Sequence, residues 1–316
     1  MFEVPVLFII FNRVDTAQKV FDAIREQKPK YLYVAADGPR KHIKSDTEKC
    51  QQARDIIKQV DWDCELKTFF RDENLGSGSG VSKAIDWFFE NVDQGIIFEH
   101  DCLPHPDFFE YCRILLDKYI DNDRIMFIGG NNFQNGIVRG NASFYFSAFD
   151  HIWGWATWKK TWNLYRYDIN SIPEEKIKEA LQFYFGNDVS IHRYWLRIFR
   201  LMRKFKIATW DYQLTLSLWI NKGLSIIPNK NLVSNIGFGS KEAVHSYRTI
   251  KGMANLPALP ILPLVYPDSI EQNKEADIYF SYRFKLRRSI FKILKTPARE
   301  TVYFFMRLLN FGKISV

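Results

Sequence analysis

A short acidic motif, Glu99-His100-Asp101, follows directly after the apolar run GIIF at positions 95–98. The apolar run predicts a buried strand, so its two acids would stand at a strand end. Hard divalent cations prefer oxygen ligands and share them with phosphate groups, so this acidic pair predicts a Mg²⁺ or Mn²⁺ site beside a diphosphate. Manganese would also tolerate the imidazole of His100 nearby. The structural alternative is an acid that caps the next helix.

Three further predicted strands are also followed by polar or charged residues. The predicted strands are Val4–Phe11, Tyr31–Ala36 and Glu65–Phe70. The polar residues that follow them include Arg13, Asp37 and Asn74. Ligands of open α/β sheets bind beyond the carboxyl ends of the strands, so these residues predict a nucleotide site at that edge.

Helical spacing of apolar residues separates these strands. The predicted helices are Thr16–Gln27, Asp46–Val60, Gly80–Asn91 and about 107–119. This alternation predicts an α/β fold that is Rossmann-like, with a mostly parallel central sheet and helices on both faces.

Two common nucleotide motifs are disfavoured or excluded. The glycines of GSGSG at 76–80 follow the third strand, whereas a dinucleotide fingerprint follows the first strand. No GKS or GKT occurs, which excludes a P-loop. The alternative for the glycines is a flexible strand-to-helix turn.

The run IIFEHDCLPHPDFFEYC at 96–112 resembles the metal motif of GT-A glycosyltransferases, and most closely that of the family 13 N-acetylglucosaminyltransferases and their bacterial relatives. The resemblance implies a GT-A fold, with Asp101 as the direct ligand of Mn²⁺ or Mg²⁺ and Glu99 as a nucleotide or outer contact. The sequence departs from the family at His100, where the family has an Asp that touches the donor ribose.

The first two strands extend this resemblance. PVLFIIFNR resembles the family's first strand, and its Arg13 would reach the nucleotide. VAADGPR resembles the second strand, and its Asp37 would accept a hydrogen bond from uracil; a plain turn is the alternative. Cytosine lacks that N–H donor, which favours UDP. The predicted nucleotide contacts are Arg13, Asp37, Asn74, Lys83, Glu99 and His100.

Two aromatic elements in the second half resemble the family's acceptor side. DHIWGWATWKKTW at 150–162 predicts a sugar-binding wall of Trp153, Gly154 and Trp155, with ordinary core packing as the alternative. In TWDY at 209–212, Trp210 would contact the acceptor and Asp211 would be the catalytic base. Capping of a helix over 211–221 is the alternative for Asp211.

A later run, IIPNKNLVSNIGFGSKEAVHS at 226–246, resembles the strand and loop that close over the donor diphosphate. Its predicted phosphate contacts are Gly239, Ser240 and Lys241, with Gly237 as a further backbone donor. His245 would contact metal or phosphate, and a surface histidine is the alternative.

The implied reaction is metal-dependent transfer of a sugar from a UDP-sugar to a hydroxyl of a glycan or a lipid-linked saccharide. One carboxylate base fits direct displacement with inversion, although Asp150 or Asp168 stays open as a second carboxylate. A sugar-nucleotidyltransferase usually carries a Gly-rich loop after its first strand, and FNRVDTAQ lacks it. A catalytically inactive sugar- or nucleotide-binding scaffold is the third class.

The predicted organisation is a catalytic domain over 1–255, a Pro-rich connector over 256–282 and a basic amphipathic helical tail over 283–316. The catalytic domain divides into a nucleotide-binding half at about 1–130 and an acceptor-binding half at about 131–255. The tail has nine basic residues and one acid, and the other 282 residues have 35 of each. This charge argues against nucleic-acid binding by the main body and predicts an anionic membrane as the tail's partner. Packing on the catalytic domain or in a homodimer is the alternative.

Four scattered cysteines without a CxxC pair predict a reduced protein, and no apolar run of 18 residues occurs. The expected location is the cytoplasm, with peripheral attachment to the inner face of the cell membrane.

Overall fold

The structure is a computed structural model that describes residues 1–205, 207–238 and 253–286. Its strands are β1 (Val6–Ile10), β2 (Tyr31–Ala36), β3 (Glu65–Phe70), β4 (Gln94–Glu99), β5 (Cys102–Pro104), β6 (Ile125–Gly129), β7 (Phe144–Ser147), β8 (Trp155–Trp158), β9 (Leu224–Pro228) and β10 (Val233–Asn235). Its α-helices are α1 (Val14–Gln27), α2 (Asp46–Asp55), α3 (Gly76–Asn91), α4 (Asp107–Lys118), α5 (Lys159–Trp162), α6 (Glu174–Phe185), α7 (Val189–Phe205), α8 (Asp211–Ile220) and α9 (Lys274–Phe280). A 3₁₀ turn (Ile56–Gln59) follows α2, and a π-helical turn (Ser281–Leu286) follows α9.

Within these residues, eight strands form one sheet in the order β3-β2-β1-β4-β8-β6-β9-β7. The four strands β3, β2, β1 and β4 are parallel to one another, and β6 is parallel to β9. Strand β8 is antiparallel to both β4 and β6, and β7 is antiparallel to β9. A separate antiparallel ribbon pairs β5 with β10. The predicted fold class, a mostly parallel α/β sheet, is confirmed.

Helices cover both faces of this sheet because side chains alternate along each strand. On one face, Leu7 and Ile9 share a buried cluster with Val81 and Phe88 of α3. On the other face, Phe98 of β4 lies 5.6 Å from Phe108 and 5.5 Å from Phe109 of α4, measured between ring centroids. Burial on both faces explains why β1 and β2 are continuously apolar.

The start of α3 corrects one prediction. The helix begins at Gly76, four residues before the predicted start, so the glycines of GSGSG belong to its first turns. Gly76 has φ +76°, and a β-carbon on Gly78 would lie 2.9 Å from the backbone of Ala208 and Thr209. Gly76 therefore adopts a left-handed conformation that favours glycine, and Gly78 allows close packing against another segment of the chain. These glycines belong to the helix and do not form the flexible turn of the alternative.

The chain divides into two compact units, and their limits differ from the predicted domains. The first unit comprises residues 1–168 and 208–273, and the second comprises 169–207 and 274–316. The Pro-rich segment up to 273 thus belongs to the first unit: Asp107 Oδ2 accepts hydrogen bonds from the backbone N–H groups of Ile261 at 2.8 Å and Leu262 at 3.1 Å. The predicted tail lies outside the described residues from 287 onward.

None of the helices in the described ranges is both long and apolar enough to cross a bilayer. All four cysteines are free thiols, as their spacing predicted.

A buried carboxylate fixes the loops after β1 and β2. Asp46, 1% exposed, accepts hydrogen bonds from Asn12 Nδ2 and from Arg40 Nη2, each at 2.9 Å. Burial alone would raise the pKa of Asp46, but the hydrogen bonds from Arg40 and Asn12 outweigh it, and the pKa lies below its ordinary value. The charged form is therefore the one that stabilises the fold.

We expect Asp46→Asn to lower the free energy of unfolding by about 2 kcal/mol at neutral pH, because charged hydrogen bonds are lost. A lowered folded-state pKa gives stability that is present above the unfolded pKa and lost as the pH falls through the folded pKa. The difference between wild type and variant in urea unfolding should therefore shrink below about pH 4. Asp55→Asn, which breaks an exposed pair with Lys58 of the following 3₁₀ turn, is the control and should cost much less. An equal cost for both variants would contradict the role of Asp46.

Candidate functional site

The predicted site residues Arg13 and Asp101 meet at the carboxyl edge of the sheet. Arg13 follows β1, and Asp101 follows β4, the strand beside it. Arg13 Nη1 lies 3.2 Å from Asp101 Oδ2, and the side chains are only 11% and 16% exposed. The largely buried ion pair joins residues 88 positions apart in sequence.

Backbone from the second half of the chain completes this cluster. The β5–β10 ribbon carries the chain back past Asp101, so that Gly237 O accepts a hydrogen bond from Arg13 Nη1 at 3.4 Å. A β-carbon at Gly237 would overlap Asp101 Oδ2 and lie 2.6 Å from Arg13 Nη1. A side chain at residue 237 would therefore force the ends of the Asp101 and Arg13 side chains to shift, a close contact that the sequence did not predict.

Two carboxylates act on a third, Glu99, at this edge. Burial is the main cause that raises the pKa of Glu99 to about 8, and the charges of Asp101 and Asp211 raise it further, while Arg13 opposes them. Asp211, which starts α8, is thus electrostatically coupled to the end of β4. Thr209 Oγ1 donates a hydrogen bond to Asp211 Oδ1.

The alternative role for Asp211, helix capping, is not observed. Trp210 occupies the N-cap position of α8, and no side chain caps the helix. The other acid near this helix, Asp150, accepts a hydrogen bond from Thr215 Oγ1 at 2.6 Å. The same hydroxyl donates to the main-chain carbonyl of Asp211 at 3.2 Å, one helical turn earlier, so this contact does not involve the Asp211 carboxylate.

His100, the position at which the sequence departs from the resembled family, is turned away from solvent. Burial lowers the pKa of its imidazole, which a hydrogen bond to the Ile9 backbone partly offsets. Its Nε2 atom is buried and has no hydrogen-bond partner. A contact between this nitrogen and a bound nucleotide would therefore need a rearrangement.

Asp37 is used to build the start of α3. Its carboxylate accepts hydrogen bonds from the N–H groups of Leu75 and Gly76, each at 2.9 Å to Oδ2, and Arg71 Nη1 lies 3.9 Å from Oδ1. Burial, the largest influence, raises the pKa of Asp37 against these contacts. Asp37 is thus an acceptor for the first N–H groups of α3, which is not the plain turn of the alternative, and a uracil would have to share its oxygens.

The other two nucleotide candidates on this side have separate partners. Asn74 Nδ2 donates to Gly38 O at 2.8 Å and so holds the loop after β2. Lys83 is exposed on α3, where its charge acts on Asp86. Among the described residues, no hydrogen bond or ion pair joins either side chain to the Arg13–Asp101 pair.

The predicted sugar-binding wall divides into core and surface residues. Trp155 is 1% and Trp210 is 4% exposed, and they stack on each other with centroids 5.8 Å apart, so both pack in the core and do not line a site. Gly154 has φ +72°, and a β-carbon there would lie 2.8 Å from Val233. Close packing therefore requires this glycine.

Trp153 alone of the four tryptophans in 150–162 is half-exposed. Its ring meets that of Phe238 at 5.3 Å between centroids, and its backbone N–H is fixed by Asn131 Oδ1 at 3.1 Å. Phe238 directly follows Gly237, so this aromatic pair stands beside the Arg13–Asp101 cluster. The sequence reasoning missed Phe238, although an aromatic residue between two glycines was a usable signal.

The sheet edge with Glu99, Asp101 and Asp211, here called the acidic edge, is suited to bind a cation together with a ligand that supplies further oxygens. The described residues contain no group of three His, Cys, Asp or Glu side chains that could hold a metal alone. Magnesium-type sites, however, need only one or two carboxylates when substrate phosphates supply other oxygens. Glu99 and Asp101 could supply those carboxylates. The remaining candidates, Gly239, Ser240, Lys241 and His245, lie outside the described residues.

Two surface depressions lie elsewhere. One of ≈ 450 Å³ lies between Tyr119 and Ile270, and one of ≈ 410 Å³ lies around Arg25 and Asp61. No candidate residue lines either depression, so the acidic edge is the better candidate for chemistry.

Comparison with known proteins identifies no family. No family model and no curated protein matches the sequence. Partial structural matches include HddC from Yersinia pseudotuberculosis (11% identity, 54% of this chain and 86% of that chain, TM-score 0.32). They also include 4-diphosphocytidyl-2C-methyl-D-erythritol synthase from Anaerococcus prevotii (8% identity, 59% of this chain and 86% of that chain, TM-score 0.33). A third match is a UDP-glucose pyrophosphorylase complexed with UDP-glucose (11% identity, 44% of this chain and 63% of that chain, TM-score 0.26). Similarity at this level assigns neither family nor function.

Because Gly237 lies against Asp101, we expect substitutions at these two positions to have non-additive effects on the free energy of unfolding. Gly237→Ala should lower the free energy of unfolding by about 1–3 kcal/mol, the usual cost of overpacking. In an Asp101→Ala background the cost should fall, because the oxygen that the new methyl group would meet is gone. Urea unfolding of the four proteins measures this cycle, and an equal cost in both backgrounds would contradict the packing described.

Proposed function

We propose that the protein is a glycosyltransferase that moves a sugar from a UDP-sugar to a hydroxyl group of a glycan or a lipid-linked saccharide, with Mn²⁺ or Mg²⁺ bound. One observation carries the proposal. Arg13, Asp101 and the Gly237 backbone form a compact cluster at the carboxyl ends of parallel strands, and the charges of Asp101 and Asp211 both act on Glu99 at the end of β4. A guanidinium and a carboxylate pair at this edge suit a diphosphate and its cation.

Arg13 would bind the diphosphate. In the described state its guanidinium is held by Asp101 and Gly237 O. A diphosphate would compete with Asp101 for Arg13 and free the carboxylate for the cation, which Glu99 and Asp101 would hold. When bound, the cation supplies charge neutralisation of the departing diphosphate.

Asp211 would act as the general base. Its carboxylate lies in the first turn of α8. The Thr209 hydroxyl would orient the carboxylate through its hydrogen bond. The acceptor oxygen would form the new bond to the anomeric carbon, its proton would pass to Asp211, and the bond to the β-phosphate oxygen would break, releasing UDP. This displacement inverts the anomeric centre.

Trp153 and Phe238 would bind a sugar ring. Both side chains are half-exposed, and they meet edge to face beside Gly237. Apolar ring faces beside a polar cluster suit a ligand that has both kinds of surface. Trp155 and Trp210 would support this corner from the core.

The spacing between β1 and α1 favours sugar transfer over nucleotidyl transfer. Strand β1 ends at Ile10 and helix α1 begins at Val14, so three residues separate them. A Gly-rich phosphate loop of the kind expected in nucleotidyltransferases has no room there.

A donor screen tests the function. Release of UDP from a panel of UDP-sugars should require Mn²⁺ or Mg²⁺ and should stop on addition of EDTA. Asp101→Ala should abolish turnover and metal-dependent UDP binding, because the ligand of the cation is removed. Asp63→Ala, which changes an exposed acid elsewhere in the first unit, should behave as wild type. Normal activity of Asp101→Ala, or indifference to EDTA, would overturn the metal role.

A second variant separates chemistry from binding. Asp211→Asn should leave UDP affinity close to wild type and lower kcat by about 10²-fold or more, the lower range for general-base catalysis. Asp150→Asn is the matched control, because it alters a neighbouring acid that Thr215 also contacts. If the loss of kcat appeared in Asp150→Asn and not in Asp211→Asn, the base would be Asp150.

A further inference from the structure

The net positive charge of the chain comes from the second unit. Residues 169–207 and 274–316 contain 18 basic and seven acidic side chains, a net charge of +11. The first unit contains 26 basic and 29 acidic side chains, a net charge of −3. The unit without the candidate site is therefore the one with an electrostatic preference for an anionic partner.

Helix α7 presents part of this charge as an ordered ridge. Its buried side is apolar and includes Trp195 and Phe199, each 1% exposed. Five of its exposed residues recur at intervals of three or four and share one face: Val189, Arg193, Arg197, Arg200 and Lys204. From Arg193 to Lys204 this basic ridge extends about 16 Å along the helix axis. No acidic side chain lies on that face of α7.

Two arginines of the basic ridge are available to a partner. Arg200 is bound by Glu174 of α6, with Nε at 2.8 Å from Oε2. Arg193 and Arg197 have neither a hydrogen bond nor an ion pair with another described residue, and both are exposed. Contacts with other described residues therefore do not account for the presence of Arg193 and Arg197 at this surface.

Apolar side chains are exposed at the end of the ridge where α7 begins. Val189, the first residue of the helix, is 64% exposed, and Tyr282 is 45% exposed. The Tyr282 hydroxyl donates a hydrogen bond to Asp188 Oδ2 at 2.9 Å, which holds its ring at this corner. Basic residues in line with exposed aliphatic and aromatic residues are typical of surfaces that lie on a bilayer.

We infer that the exposed face of α7 is a docking surface for an anionic lipid membrane, with Arg193 and Arg197 facing lipid headgroups and Val189 and Tyr282 at the interface. A nucleic acid would match the charge but would leave these apolar side chains without a partner. The inference is independent of the reaction that the site performs. Membrane binding by residues 287–316 stays a separate prediction, since they lie outside the described residues.

Flotation of the full-length protein with lipid vesicles tests the inference. Wild type should bind mixed phosphatidylcholine–phosphatidylglycerol vesicles at low salt and should not bind phosphatidylcholine vesicles. Arg193→Gln combined with Arg197→Gln should lower the partition coefficient about 30-fold, or five- to sixfold for each charge lost. Arg193→Lys combined with Arg197→Lys keeps the charges and should bind as wild type.

The control removes the same charge from the other unit. Lys41→Gln combined with Lys58→Gln changes two exposed lysines of the first unit and should leave binding unchanged. Circular dichroism melts verify that each variant is folded. Equal binding by the glutamine variant and wild type would overturn the inference, as would equal loss in the control. Binding to duplex DNA but not to anionic vesicles would identify a nucleic-acid site and would also overturn the inference.

Discussion

The ion pair between Arg13 and Asp101 is the interaction on which the candidate site depends. It joins the ends of two neighbouring parallel strands, and it is covered by backbone that arrives more than 130 residues later in the chain. The charges of Asp101 and Asp211 both act on Glu99, and the single guanidinium of Arg13 opposes them, so the edge carries an excess of acid in a partly buried setting. Such an arrangement is costly unless a cation or a proton relieves it, and this is the physical reason for assigning a cation-assisted reaction to it.

The rest of the first unit holds this edge in shape. The β5–β10 ribbon sets Gly237 against Asp101, and Asp46 and Asp37 tie the loops after β1 and β2 to α2 and α3. Stacked indoles of Trp155 and Trp210 fix the start of α8, and with it Asp211. Several residues that look catalytic in sequence are thus structural supports, because an exposed strand end needs internal hydrogen bonds to keep one conformation.

Local patterns were sufficient to predict the first half of the fold. Strand patterns predicted β2 and β3 with their observed limits, and apolar spacing predicted α4 to within one residue. The meeting of Arg13 with Asp101 also followed from the strand order. The roles of Asp37 and Trp155 did not, because a hydrogen bond to Leu75 and a stack on Trp210 depend on contacts distant in sequence. The Pro-rich segment resembled a spacer for the same reason, since its anchor, Asp107, lies 154 residues earlier.

The two units differ in composition: the nearly neutral first unit contains the acidic edge, and the second carries the net positive charge.

The proposed role of the acidic edge is tested most directly by a crystal structure of the protein with UDP and Mn²⁺. The account predicts Mn²⁺ in contact with Asp101 and a diphosphate oxygen, with Arg13 turned from Asp101 to the diphosphate. UDP bound away from this edge, or bound there with the Arg13–Asp101 pair intact and no cation, would contradict it.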